Sequence, residues 1–173
     1  NLAQVIRPDI LVDTSLTGTG TSFATYQGAS GPFTSGGNGF RALTAAEYSP
    51  FLSSGNNANV SLGYTHGGAY ITGTTINSLT LNKYGGTMAA GPIPQNTVLT
   101  VTSGGILAQS GNVGLSGGLI AFGGAPGFVY ANGTLNISAG FTGTAGVTKG
   151  GTGTMNLNRP QFYTGATTVN NGI

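Results

Sequence analysis

The chain has 173 residues, of which only 5% are charged and 38% are hydrophobic, and its formal net charge is +2. Its five basic residues are scattered along the sequence, which argues against a nucleic-acid interface, because such an interface concentrates them on one face. Cysteine is absent, so disulfides and cysteine zinc sites are excluded, and no apolar run approaches the roughly 20 residues that span a membrane. The length allows one domain with a sizeable core or a piece of a longer solenoid.

Residues 1–50 have the least regular pattern, and we predict that they form an N-terminal cap or linker with short strands. Pro8 separates two short apolar runs and argues against a central strand at that point. Closely spaced glycines leave room for strands only near residues 22–26 and 40–43.

One position in this region favours a helical turn. Thr44 can cap such a turn, and Glu47 follows three residues later, which is the spacing of a capping box. Pro50 then prevents the turn from continuing. We therefore predict a single helical turn between these residues.

Residues 51–173 contain brief apolar runs that each end at Gly or Asn, a pattern typical of short β-strands. Their apolar centres are mostly spaced by about 20 residues, a period found in solenoids. These centres are Leu79, Leu99, Leu119, Leu135 and Met155. We predict that such centres stack in one core, because a solenoid turn buries its apolar face only against its neighbours. A β-sandwich with strands every 8–12 residues or so is the alternative interpretation.

Stacking also gives the low charge a physical reason. Neighbouring turns of a parallel β-solenoid lie about 4.8 Å apart, so equivalent side chains form ladders. Like charges repel in a ladder, whereas Asn, Thr and Ser can hydrogen-bond along it. The sequence therefore predicts polar but uncharged rows on the surface.

A specific motif occupies the segment 146–173, where two short runs, TMNL and ATTV, are joined by a turn-rich stretch and flanked by glycines. The pattern resembles the autotransporter-associated β-strand repeat, whose usual form reads G-L-T-K-x-G-x-G-T-L-x-L-x-x-x-N-x-Y-T-G-x-T-T-V-x-x-G. The matching residues are Gly146, Thr148, Lys149, Gly151, Gly153, Thr154, Leu157, Tyr163, Thr164, Gly165, Thr167, Thr168, Val169 and Gly172. The chain departs from the pattern at Met155, where leucine is usual, and at Phe162, where the family has a small or polar residue.

The resemblance implies an all-β fold, a right-handed parallel β-helix over residues 51–173, within a large secreted or cell-surface bacterial protein. Both ends of the sequence then read as cuts in a longer chain. The function implied is that of a non-catalytic structural segment, such as a rigid stalk, a passenger or a filament subunit. Its partners would be neighbouring repeats or further copies of itself, with no nucleic acid and no membrane insertion of this segment.

Catalysis is not indicated by the residues. Polysaccharide hydrolysis uses paired carboxylates, but all the acids, Asp9, Asp13 and Glu47, lie within residues 1–50, outside the predicted β-helix. The single histidine, His66, has no cysteine or second histidine with which to bind a metal. We therefore expect no catalytic, metal-binding or cofactor-binding residue.

Two alternatives stay open. The first is an adhesin-like module that binds glycans or another surface through exposed Thr, Asn and Tyr side chains. The second is a polysaccharide-active enzyme, whose activity would have to survive loss of the three acids.

Overall fold

A computed structural model describes residues 4–13, 18, 20–27, 39–50, 52, 58–63, 73–82 and 87–173, and the backbone alone for residues 87–95. These residues form thirteen β-strands and one short 3-10 helix, Ala45–Glu47. The strands are β1 (Arg7–Val12), β2 (Ser22–Gln27), β3 (Gly39–Ala42), β4 (Asn59–Leu62), β5 (Thr75–Leu81), β6 (Thr87–Ala108), β7 (Asn112–Ala121), β8 (Gly127–Ala131), β9 (Thr134–Gly143), β10 (Val147–Gly150), β11 (Thr154–Leu157), β12 (Phe162–Tyr163) and β13 (Thr167–Val169).

Strands β4 to β13 form a parallel β-solenoid of about four turns. Each strand pairs in parallel with the strand one turn before or after it, as β10 does with β8 and β13. This arrangement confirms the predicted all-β parallel solenoid and rules out the β-sandwich, in which antiparallel strands would dominate.

Three faces make up the solenoid, because the long strand β6 bends around two corners. The first face stacks residues 59–62, 78–81, 105–108, 128–131, 147–150 and 167–169. The second face stacks residues 87–90, 112–115, 134–137 and 154–157. The third face stacks residues 98–100, 119–121, 140–143 and 162–163.

The core consists of inward-pointing columns in which apolar side chains from successive turns lie over one another. Fully buried members include Val60, Leu79 and Ile106 on the first face and Ile120 and Phe141 on the third face. Burial of such side chains contributes about 1.5–3 kcal/mol each relative to exposure, which makes these columns the main stabilising feature.

Of the predicted apolar centres, Leu79, Leu99 and Leu135 share one buried core, and Met155 packs against it, as predicted. They do not form a single column, because only Leu135 and Met155 lie over one another. Leu79 stacks on Ile106 rather than on Leu99, and Leu119 points out of the third face. The reason is that the turns differ in length. The step along the first face from Val60 to Leu79 is clearly shorter than the step from Leu79 to Ile106, so equal spacing in sequence does not place residues on one face.

The N-terminal strands form an antiparallel sheet in the order β1-β2-β3, which confirms the strands predicted near residues 22–26 and 40–43. Pro8 lies in β1, at an edge of the sheet, where a missing amide does not interrupt a ladder. The sheet packs against the outer side of the first face through Phe23, which packs with Leu107 and lies against the buried Gly105.

Amide side chains of the solenoid also hold this N-terminal segment. Asn59 and Asn77 both donate to the carbonyl of Gln4, at 2.8 and 3.1 Å. Asn132 donates to the carbonyl of Gly20 at 2.9 Å. The segment is therefore fastened along the side of the solenoid over several turns. The division of the chain at residue 50 stays a prediction.

The predicted helical turn is confirmed as the 3-10 helix Ala45–Glu47. The carboxylate of Glu47 accepts hydrogen bonds from the Thr44 amide and hydroxyl, at 2.8 and 3.0 Å. It also accepts both guanidinium donors of Arg41 at 2.7 Å. This bidentate bond to Arg41 is the main cause that lowers the pKa of Glu47 to about 2, from an ordinary value of 4.5.

We expect this network to make the protein acid-sensitive. Because the pKa of Glu47 is lowered in the folded state, its contribution is complete above about pH 4.5 and is lost as the pH falls towards 2. A Glu47→Gln variant should lose about 2 kcal/mol of unfolding free energy at pH 7 and should show a flatter dependence on pH below 5. Urea unfolding between pH 7 and 2 measures both effects. Asp9→Asn, in an exposed pair with Arg7, is the control, and an equal loss there would contradict the prediction.

Candidate functional site

The motif residues lie in the last two turns of the solenoid, in β10 to β13 and the turns that join them. Paired residues of neighbouring turns are here always the same number of positions apart in the sequence. Val147 pairs with Thr167 and Lys149 with Val169. The same step joins Met155 to Leu135 in the preceding turn. This end of the molecule is therefore more regular than the turns that precede it.

Lys149 points into the core, although it is charged. It occupies the inward column of the first face between Val129 and Val169, and only 1% of its surface is exposed. Its ammonium donates to the carbonyls of Gly151, Gly153 and Asn171, at 2.8, 2.5 and 2.7 Å. The first two carbonyls belong to the turn after β10 and the third to the turn after β13, so one side chain joins two successive turns.

The electrostatics of Lys149 rest on these carbonyls, because residues 51–173 contain no acidic side chain. Burial lowers the pKa of the Lys149 ammonium. The three carbonyl dipoles oppose that effect because they bond to the charged form. The buried ammonium therefore bonds to backbone carbonyls and has no carboxylate side chain as a partner.

Motif glycines allow the turns to approach closely. A Cβ added to Gly153 would overlap the carbonyl oxygen of Gly133, and one added to Gly146 would overlap the carbonyl oxygen of Ala166. A Cβ added to Gly151 would likewise overlap the carbonyl oxygen of Ala131, and its φ of 76° also lies in the left-handed region that favours glycine. These positions require glycine for backbone geometry.

Polar rows run along the outside of the second face, as predicted from the low charge. Asn156 donates from its amide to Asn136 at 2.9 Å, and Asn136 donates to Asn112 at 2.7 Å. Thr154 lies over Thr134 in the neighbouring row. Uncharged side chains therefore hydrogen-bond from turn to turn.

The C-terminal end of the solenoid leaves apolar side chains uncovered. Val169 continues the inward column of Lys149 yet is 59% exposed, and Leu157, over Ile137, is also exposed. Ile173 lies beside β11 on the second face, where its carbonyl accepts a hydrogen bond from the Met155 amide at 2.7 Å. Within the described residues, the last turn therefore has core side chains and strand-edge groups that a further turn could cover.

The three acids lie apart from these features. Asp9 pairs with Arg7 at 2.7 Å, Glu47 belongs to the network with Arg41, and Asp13 accepts a hydrogen bond from the Gly20 amide. Within the described ranges, no cluster of three His, Cys, Asp or Glu side chains could hold a metal ion. His66 lies outside the described residues.

A groove of about 230 Å³ on the outer side of the third face was not predicted. Phe162 and Arg159, from the turn-rich part of the motif, line it together with Asn96, Gly118 and Leu119 of earlier turns. The signal available in the sequence was the departure from the repeat at Phe162. The residues opposite it could not be identified without the register.

Comparison with known proteins finds no family model, no curated protein and no solved structure that matches this chain. The resemblance to the autotransporter-associated repeat therefore stays a prediction that rests on the motif residues. None of the described residues belongs to a helix with the length and hydropathy needed to cross a membrane.

Proposed function

We propose that this chain is a non-catalytic structural segment, a rigid rod-like spacer of a secreted or cell-surface protein, built to stack on further turns of its own kind. The observation that carries the proposal is the uniform step of the last turns. That step joins Val129 to Lys149 and Lys149 to Val169, and it joins Thr142 to Phe162 on the third face.

The uniform step matters because a repeated unit of constant length can be added without changing the register. Each added turn lengthens a solenoid by about 4.8 Å and covers the core of the turn before it. Lys149 supports this interpretation, since its ammonium reaches the backbone of the following turn. Rigidity follows because each inner turn is hydrogen-bonded to the turns on both sides of it.

The open strand edge supports stacking as well. The carbonyl of Ala166 and the amide of Asn170 bond back to β10, at 2.9 Å each. Since the groups of a parallel strand alternate in direction, the amide and carbonyl of Val169 point away from β10. Unpaired edge groups beside an uncovered core accept another strand readily. The proposed partner is a turn of the same type, from the same protein or from a second copy.

A charge placed on this end tests the proposal. We expect the wild-type protein to appear as rods by negative-stain electron microscopy, with mean length and sedimentation coefficient rising with concentration. Val169→Lys should stay as short single particles with a sedimentation coefficient that does not rise with concentration, because an ammonium on the uncovered core opposes stacking. Thr168→Lys is the matched control, since it adds the same charge to an exposed outer side chain of the same strand and should behave like wild type.

Two outcomes would contradict the proposal. Wild-type particles that lack an elongated axis at every concentration would rule out a rod. Equal lengths for the wild type and Val169→Lys at every concentration would show that the open end is not the stacking surface.

A further inference from the structure

The groove on the third face has a flat aromatic floor. The Phe162 ring rests on the backbone of Gly140, where an added Cβ would lie 2.8 Å from the ring atom Cε2 and 3.0 Å from Leu119 Cδ2. The absence of a side chain at Gly140 thus lets the ring lie against the sheet, beside Leu119. Phe162 nevertheless keeps 54% of its surface exposed. The groove therefore offers a ring face to solvent.

Two unfavourable features meet at this groove. An exposed phenylalanine forgoes the stabilisation that burial would give it. Asn96, on the groove wall, has a φ of 69° and is the one non-glycine residue with positive φ in the described part of the chain. Such backbone conformations persist where the surrounding structure enforces them, and they concentrate at ligand-binding sites. Their coincidence with an exposed ring favours a binding role.

The charge at the groove is also unbalanced. Arg7 and Arg41 are paired with Asp9 and Glu47, whereas no hydrogen bond or ion pair joins the Arg159 guanidinium to any other described side chain. Residues 51–173 contain no acidic side chain to neutralise it. An uncompensated guanidinium, with its fork of donors, is suited to a carboxylate from a ligand.

We propose that the groove binds one carboxylated pyranose ring of an acidic polysaccharide. The C–H face of the sugar stacks on Phe162, its carboxylate bonds to Arg159, and a hydroxyl bonds to the Asn96 amide. The volume of about 230 Å³ is below the roughly 300–1,000 Å³ of ordinary small-molecule sites, so one ring is held and the rest of the chain stays in solvent.

A sugar fits these groups better than the other ligands that carry a carboxylate. A pyranose presents an apolar face and a hydroxyl-rich rim, which match an aromatic floor and an amide wall. An acidic peptide would bring repeated charges, for which the groove has a single cation among the described residues that line it. The site is distinct from the proposed stacking surface, because outer side chains of the third face line it, whereas stacking uses the inward column of Val169 on the first face.

The test uses tri-galacturonate and its methyl ester, in which the same sugar lacks the negative charge. We expect the acid to shift backbone amide NMR signals of Gly118, Leu119 and Thr142 in the wild-type protein. The ester should bind about tenfold more weakly. Arg159→Gln should weaken binding of the acid by a similar factor and abolish the preference over the ester, and Phe162→Ala should weaken binding of both ligands.

Phe40→Ala is the matched control. Phe40 is also an exposed ring, at 50%, with a guanidinium 5.8 Å from its centroid, but that guanidinium belongs to Arg7 and is bonded to Asp9. Its removal should leave binding unchanged. Circular dichroism shows whether each variant is folded. Because Phe162 is exposed, we expect the Phe162→Ala variant to fold.

Three results would overturn the proposal. They are no binding of tri-galacturonate at millimolar concentration, equal binding of acid and ester, and binding of tri-glutamate at least as tight as that of the sugar. The last result would assign the groove to an acidic peptide.

Discussion

A Gly153→Ala variant is expected to unfold with about 3 kcal/mol less free energy than the wild type, which is large for the addition of one methyl group. The new Cβ would overlap the carbonyl oxygen of Gly133 and lie 2.9 Å from that of Ala131. These atoms are backbone of the preceding turn, which cannot move aside as a flexible side chain can. The two turns must separate, and the hydrogen bonds that Gly153 and Thr154 donate to those carbonyls weaken.

Urea unfolding followed by circular dichroism at pH 7 measures this loss. Gly39→Ala is the control, because it lies in β3 with an ordinary φ and has no heavy atom within 4 Å of the added Cβ. We expect its unfolding free energy to change by less than about 0.5 kcal/mol. Similar losses in both variants would show that the close approach of the turns is not what requires glycine at position 153.

The second large effect concerns the buried ammonium. A Lys149→Met variant keeps an unbranched side chain of similar length but leaves the carbonyls of Gly151 and Asn171 without their donor. An unsatisfied buried polar group destabilises the folded state by about 1–3 kcal/mol. Part of this loss is offset because the variant does not have to bury a charge. We expect a net loss of about 2 kcal/mol of unfolding free energy.

We expect Lys149→Met to weaken hydrogen bonds near the substitution as well as the stability of the whole protein. Hydrogen exchange should become faster at the amides of Asn170 and Ile173, which bond to Lys149 and Gly153 of the preceding turn. Exchange at the amide of Gly127, which bonds to the Gly146 carbonyl and to none of the carbonyls that the ammonium holds, should change little. An unchanged or more stable Lys149→Met protein would mean that burying the charge costs more than its three bonds contribute, as in some buried ion pairs.

Local sequence signals predicted local structure well. The capping spacing of Thr44 and Glu47 predicted the 3-10 turn, and glycine punctuation predicted β2 and β3. The inward position of Lys149 could also have been predicted from the sequence. Val129 and Val169 lie one repeat to either side of it, so the period alone places it in an apolar column.

Features that depend on several turns were not predictable in the same way. The core column of Leu79 required the lengths of the intervening turns, which are unequal along the first face. The groove required even more, because Phe162 meets Leu119 and Gly140 only when three turns are in register. A fixed period cannot supply that register where loop lengths vary.

The bonding of Lys149 has a consequence for how such a protein can change over time. All three acceptors of its ammonium are main-chain carbonyls, which every amino acid possesses. The bonds of Lys149 therefore require a particular backbone path in the neighbouring turn, but they require no particular side chains there. Substitutions on the outer faces of adjoining turns can accumulate while the fastening between them is retained, so surface properties can diversify on an unaltered frame.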